Sequence, residues 1–208
     1  MTTLILILTV IFLLTMIGGV VIWFVFHSRR LPQDERPPKK PEQIKSLPFH
    51  WNYIILPSAV LLLALILAAF FYHQLPAEVA YHFKSDGSPD TWLSREAILA
   101  WLLVPQLGLT LLAGAIVWGM TRLNVLFQDA KSSLVSKGII SFMGNMIGLP
   151  QVIICFAMLE IFSYNSYGTH IMPIWIFALI IIGLGSIPLG IFFIQAIRRV
   201  MKSPNNIT

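Results

Sequence analysis

Residues 51–72 read WNYIILPSAVLLLALILAAFFY, a stretch without one charged side chain. A helix over it rises about 33 Å at 1.5 Å per residue, enough to cross a hydrocarbon core of roughly 30 Å. A helix on the surface of a soluble core must keep a polar stripe for water, and this one has none. Four more uncharged runs follow the same pattern, over residues 4–26, 98–120, 139–159 and 171–197. The chain of 208 residues is 57% hydrophobic and 11% charged, against about 25% charged in soluble domains. The expectation is an all-α integral membrane protein with five transmembrane helices.

The basic residues orient it. Arg29, Arg30, Arg36, Lys39, Lys40 and Lys45 follow the first run. Arg122, Lys131 and Lys137 follow the third, and Arg198, Arg199 and Lys202 follow the fifth. Only Lys84 and Arg95 lie in the other gaps. Basic flanks stay cytoplasmic, so the N-terminus is expected outside and the C-terminus inside. The formal charge of +5 belongs to this bias and to anionic headgroups, not to nucleic acid. Trp23, Trp51, Tyr53 and Trp118 fall at expected inner ends; Tyr72, Trp92, Tyr164, Tyr167 and Trp175 fall near outer ends, where amphipathic rings favour headgroups. The single cysteine, Cys155, lies in the fourth run and forms no internal disulfide.

Organisation follows from the runs. Residues 1–27 read as a retained anchor rather than a cleaved signal, because no basic residue precedes the apolar stretch and no small-residue cleavage site follows it. Residues 28–50 are a proline-rich basic cytoplasmic linker. Residues 51–208 form a four-helix membrane unit. Pro105, Pro150 and Pro188 fall within spans and are expected to kink them. Gly144 and Gly148 form a GxxxG on the fourth span, where small residues let helices approach; Gly183, Gly185 and Gly190 lie on the fifth. Asn145 and Gln151 are expected to make interhelical hydrogen bonds, and Gln106 and Gln195 are further polar residues within spans.

Residues 73–95, between the second and third spans, carry the one motif. Pro76 is suited to ending the second helix. Val79, Tyr81 and Phe83 alternate with Ala80, His82 and Lys84, which is strand periodicity. Asp86-Gly87 signals a hairpin turn and Pro89 stiffens it. Ser94 reads as the N-cap of the third helix, with Glu96 favoured in its first turn. A small extracellular hairpin or flap is expected there. Leu75-Pro76, His82-Phe83, Gly87, Pro89-Asp90, Trp92 and Ser94-Arg95 match the pattern LP…HF…G.PD.W.S(K/R). Over about residues 55–100 the chain thereby resembles a bacterial membrane domain of unknown function found in relatives of the SdpI-type immunity proteins. That resemblance implies a bacterial plasma membrane, and immunity or sensing through contact with a secreted toxin.

The chemistry-bearing residues on this side are His73, Glu78, His82, Asp86, Asp90, Glu160 and His170. Metal ligation at His82, Asp86 and Asp90 is one reading, but no paired-histidine spacing supports it, and turn and capping roles fit these residues better. Glu160 ends an apolar helix, and a carboxylate at membrane depth needs a reason. It is expected to pair with Arg95 or His82 and hold the flap down, or else to exchange protons. No phosphate loop, catalytic triad or cofactor motif is evident, so a non-enzymatic role is expected. Binding of a peptide or protein through the external loop ranks first, with Pro76, His82, Phe83, Gly87, Pro89, Asp90, Trp92 and Arg95 facing the partner. An accessory subunit of a larger membrane complex ranks second, and a small proton- or ion-coupled transporter third.

Overall fold

The computed structural model describes residues 49–84, 87–123 and 133–201. The expected anchor over residues 1–27, nearly all of the linker and Asp86 lie outside them. A 3-10 turn, Trp51–Ile54, leads into α1, Ile55–Phe71. Strands β1, Glu78–Phe83, and β2, Pro89–Ser94, come next. Four helices complete the described chain: α2 (Arg95–Leu123), α3 (Ser133–Met146), α4 (Gly148–Tyr167) and α5 (Ile174–Met201). Among the described residues, four helical stretches are long and apolar enough to cross a membrane: Trp51–Phe71, Arg95–Arg122, Ile139–Tyr167 and Ile174–Ile191. The protein is membrane-embedded on this evidence.

Helix α4 is the axis of the bundle and packs against α1, α2, α3, α5 and β1. Val60, Ala64 and Phe71 of α1 meet Val152, Phe156, Leu159 and Phe162 of α4, and Phe177 and Ile181 of α5 join from the other side. The Phe156 and Phe177 rings stack at 3.8 Å, inclined by 11°. The outer faces are apolar too: Leu62 and Ile66 on α1, Trp101 and Leu111 on α2, and Leu179 and Ile182 on α5 are all exposed. So much exposed hydrocarbon is an association hazard in water and suits acyl chains instead. Trp51 and Trp118 are exposed at one end of the bundle, and Trp92 and Trp175 at the hairpin end.

The fourth run is not one uninterrupted helix. It breaks at Ile147, so Gly144 closes α3 and Gly148 opens α4. The cause is Pro150, which has no N–H for the Met146 carbonyl but is tolerated in the first turn of a new helix. Both glycines face the start of α1. A β-carbon at Gly144 would collide with the Tyr53 carbonyl, and one at Gly148 would lie 2.5 Å from Leu56 Cγ. Helices α2 and α5 instead continue through Pro105 and Pro188.

Buried amides tie the helices together, as expected of Asn145 and Gln151. Asn145 Oδ1 accepts from the Leu56 N–H at 2.9 Å, an orphan donor at the start of α1. Its Nδ2 donates to the Ser141 carbonyl at 2.8 Å and the Asn52 carbonyl at 3.2 Å. Gln151 Nε2 donates to the Gln106 carbonyl and to Thr110 Oγ1, both at 2.8 Å, joining α4 to α2. In a hydrocarbon setting such bonds replace those that water cannot supply.

Candidate functional site

The hairpin sits where α1 ends and α2 begins. Helix α1 stops at Tyr72, before Pro76, which lies in the stretch leading to β1. Pro76 has no N–H for the Tyr72 carbonyl four residues back, which suits it to ending the helix there. Arg95 takes up the carbonyls left free there: its Nη1 donates to the Tyr72 carbonyl at 3.3 Å and, more weakly, to the Leu75 carbonyl at 3.5 Å. Its Cζ lies 4.5 Å from the Tyr72 ring centroid, a cation–π contact. A guanidinium at a helix C-terminus meets both the orphan carbonyls and the negative end of the dipole. Ser94 caps α2 as its sequence position suggests, its Oγ accepting from the Ala97 N–H at 3.3 Å.

Strands β1 and β2 pair antiparallel, with Val79 opposite Leu93 and Ala80 opposite Trp92. Lys84 and Ser88 close the turn through a 2.9 Å bond from the Lys84 N–H to the Ser88 carbonyl. Gly87 takes φ +83°, a left-handed conformation costly for any residue with a side chain. The expected simple alternation fails in the middle of β1. Register shifts between Ala80 and Phe83 leave Tyr81 and Asp90 without opposite numbers. Such a bulge turns a side chain to the other face. Val79 and Ala80 are both buried, while Tyr81 is exposed rather than sharing a face with Val79.

The hairpin is fastened to α4 by Asn165. Its Oδ1 accepts from the Ala80 N–H at 2.8 Å, and its Nδ2 donates to the Ala80 carbonyl at 2.7 Å. Nδ2 also donates to the Ile161 carbonyl at 2.8 Å, which holds the amide in one orientation. One side chain thus imitates a neighbouring strand. Asn165 was not singled out from the sequence, because its partner is backbone and leaves no complementary side chain to read.

Glu160 lies two turns below the end of α4 and is 5% exposed. It pairs with neither Arg95 nor His82. Its Oε1 is 2.7 Å from His170 Nδ1, and its Oε2 accepts from the Ile171 N–H at 2.8 Å. The physical reason is the chain reversal at Gly168, whose φ of +66° ends the helix and folds residues 168–173 back over it. Arg95 is committed to α1 and to Glu96, 3.5 Å away. The His170 ring in turn packs against Phe83 (5.0 Å) and Tyr164 (4.6 Å). Glu160 therefore sets a histidine that supports the hairpin tip, and Gly87 borders the same ring.

His82 and Asp90 meet on the outward side of the hairpin, 2.6 Å apart. Among the described residues no three metal-ligating side chains gather. The His82 hydrogen bond is the largest cause holding the Asp90 carboxyl below its ordinary value of 3.8, with Thr91 and Lys84 adding to it. A carboxylate favoured by folding contributes stability above its unfolded pKa and loses it as pH falls through the lower folded value. A carboxyl-carbon NMR titration should place the Asp90 midpoint below 3.8, and His82→Ala should move it up. An unmoved midpoint in that variant would show that the pair does not form in solution.

A family model described as a domain of unknown function (DUF1648) matches residues 59–104. The match takes in most of α1, the hairpin and the first turns of α2, so the chain is similar to that family in the segment that carries Arg95 and both strands. No curated protein matches the chain, and no solved structure matches it.

Proposed function

We propose that this is a non-enzymatic membrane protein that captures a peptide or protein partner on the outward face of its hairpin, in an immunity- or sensor-like role. The observation that carries the reading is the division of the hairpin into two faces. The inner face is committed to the bundle through Val79 and Leu93, which pack on the core, while Asn165 holds the β1 edge and Phe83 packs on Tyr164. The outer face presents Tyr81 at 37% and Trp92 at 49% exposure beside the His82–Asp90 pair. Aromatic side chains held on a rigid support offer contact area at little entropic cost, which is what binding hot spots use.

The proposed setting is a bacterial plasma membrane with the hairpin outside. The sequence bias supports it, since Lys84 and Arg95 are the basic residues of the hairpin segment while the other basic residues flank the opposite ends of the runs. The likeness of the segment to the domain found with SdpI-type immunity proteins supports a protective or signalling role.

Photo-crosslinking in intact cells from position 81 tests the reading. A defined peptide or protein adduct is expected, reduced at least tenfold when Trp92 is replaced by serine with insertion unchanged. Adducts to lipid alone would remove the proposal, because exposed rings at a membrane end also serve as headgroup anchors.

A further inference from the structure

We propose that the free edge of β2 takes an extended peptide segment of the partner as a third strand. The inference rests on the partner-binding reading above and names the chemistry of what is bound. In an antiparallel pair, residues alternate between those whose N–H and C=O face the opposite strand and those whose groups face away. Two independent bonds fix the phase here. The Arg95 N–H donates to the Ala77 carbonyl at 3.0 Å, so residues 77 and 95 face each other. Three steps along, Ala80 commits both its backbone groups to Asn165 and so faces away from β2. Its opposite number, Trp92, then faces away from β1. Counting from either bond gives the same answer: the Trp92 N–H and C=O and the Ser94 N–H project from the far edge of β2.

The two edges are unequal. The β1 edge is closed by the Asn165 amide. Among the described residues, the elements packed most closely on β2 are β1 and the start of α2, and Asp90, Trp92 and Ser94 are all exposed. An open edge is a template for strand addition. A peptide satisfies a donor–acceptor–donor line with its own alternating backbone. Lipid headgroups carry no such line. A second copy of this chain, joined through three residues, would fall well short of the roughly 800 Å² per partner of a stable interface. The peptide residue opposite Trp92 shares its face, so an aromatic or branched apolar residue suits that position.

The full chain in phospholipid nanodiscs, panned with a random dodecapeptide library, provides the test. A selected peptide is then N-methylated one residue at a time. Strand addition predicts a period of two: methylation at alternate residues weakens binding about fivefold or more, the loss of one hydrogen bond, and the intervening positions tolerate it. Trp92→Pro should bind more weakly than Trp92→Ala by a similar factor, because proline lacks the outward N–H yet is accepted on an edge strand. Methylation losses without alternation, or equal binding by the two variants, would overturn strand addition. The partner-binding reading survives that result if the adduct from position 81 is still lost in Trp92→Ser. A library that retains no peptide on the wild type above Trp92→Pro also overturns it, as does a β2–β2 crosslink between copies.

Discussion

Replacing Asn165 with leucine is expected to release the hairpin while leaving the helices packed. The substitution removes the acceptor for the Ala80 N–H and the donor to its carbonyl together, and Ala80 is only 2% exposed. A buried backbone group left unpaired costs about 1–3 kcal/mol. Two of them cost about 2–6 kcal/mol if the strand stays down, so the strand should lift and take its groups to water. Hairpin opening should rise by a factor on the order of a hundred, read as faster amide exchange over residues 78–94 and faster proteolysis after Lys84. Exchange in the first half of α4 should change little, because Val152 and Phe156 also pack with Val60 and Ala64 of α1 and with Phe177 and Ile181 of α5. Asn165→Asp is the sharper variant. It keeps an oxygen for the Ala80 N–H but turns its second oxygen toward the Ala80 and Ile161 carbonyls, both acceptors. It should therefore recover little of the lost protection. A leucine variant whose hairpin stays as protected as the wild type would show that β1 is held by apolar contact alone.

That clasp marks the limit of what the sequence discloses. Four of the five expected spans, those within the described residues, were legible because crossing a membrane depends on length and composition, which residues 51–72 display without reference to any neighbour. The hairpin was legible for a similar reason, since alternation, the turn at Gly87 and the Ser94 cap are all local signals. The bulge at Tyr81 is not local, being a property of how β1 and β2 register. Pro150 was visible, yet a kink and a helix boundary share one signal; the outcome turned on Asn145 and Gly144, which join the end of α3 to Tyr53 and Leu56. Glu160 stood out as a costly carboxylate, and its partner was sought across the bundle at Arg95 or His82. It lay ten residues ahead at His170, and the glycine that folds the chain back was the cue.

Glu160→Ala should be among the most damaging single substitutions at this end of the bundle. The carboxylate accepts from His170 Nδ1 and the Ile171 N–H, with a longer 3.5 Å contact to the Met172 N–H. Hydrogen bonds to a charged group contribute about 1.5–3 kcal/mol. A net loss of about 3 kcal/mol would lower the melting temperature by roughly 6–12 °C in a chain of this size. The effect should reach the hairpin, because His170 loses the group that sets its ring against Phe83 and Tyr164. Glu160→Gln separates hydrogen bonding from charge. Its oxygen can accept from the Ile171 N–H while its NH2 donates to His170 Nδ1, a ring nitrogen able to take either role. The glutamine variant should thus keep most of the stability, losing about 1 kcal/mol, and should keep the ring contacts in NMR spectra. If glutamine proved as harmful as alanine, the charge itself would be required, and the carboxylate would have to be more than a clamp on residues 170–172. Near-wild-type melting in both variants would instead mean that the returning loop is held by its apolar side chains, Ile171 and Met172, which pack on the same core.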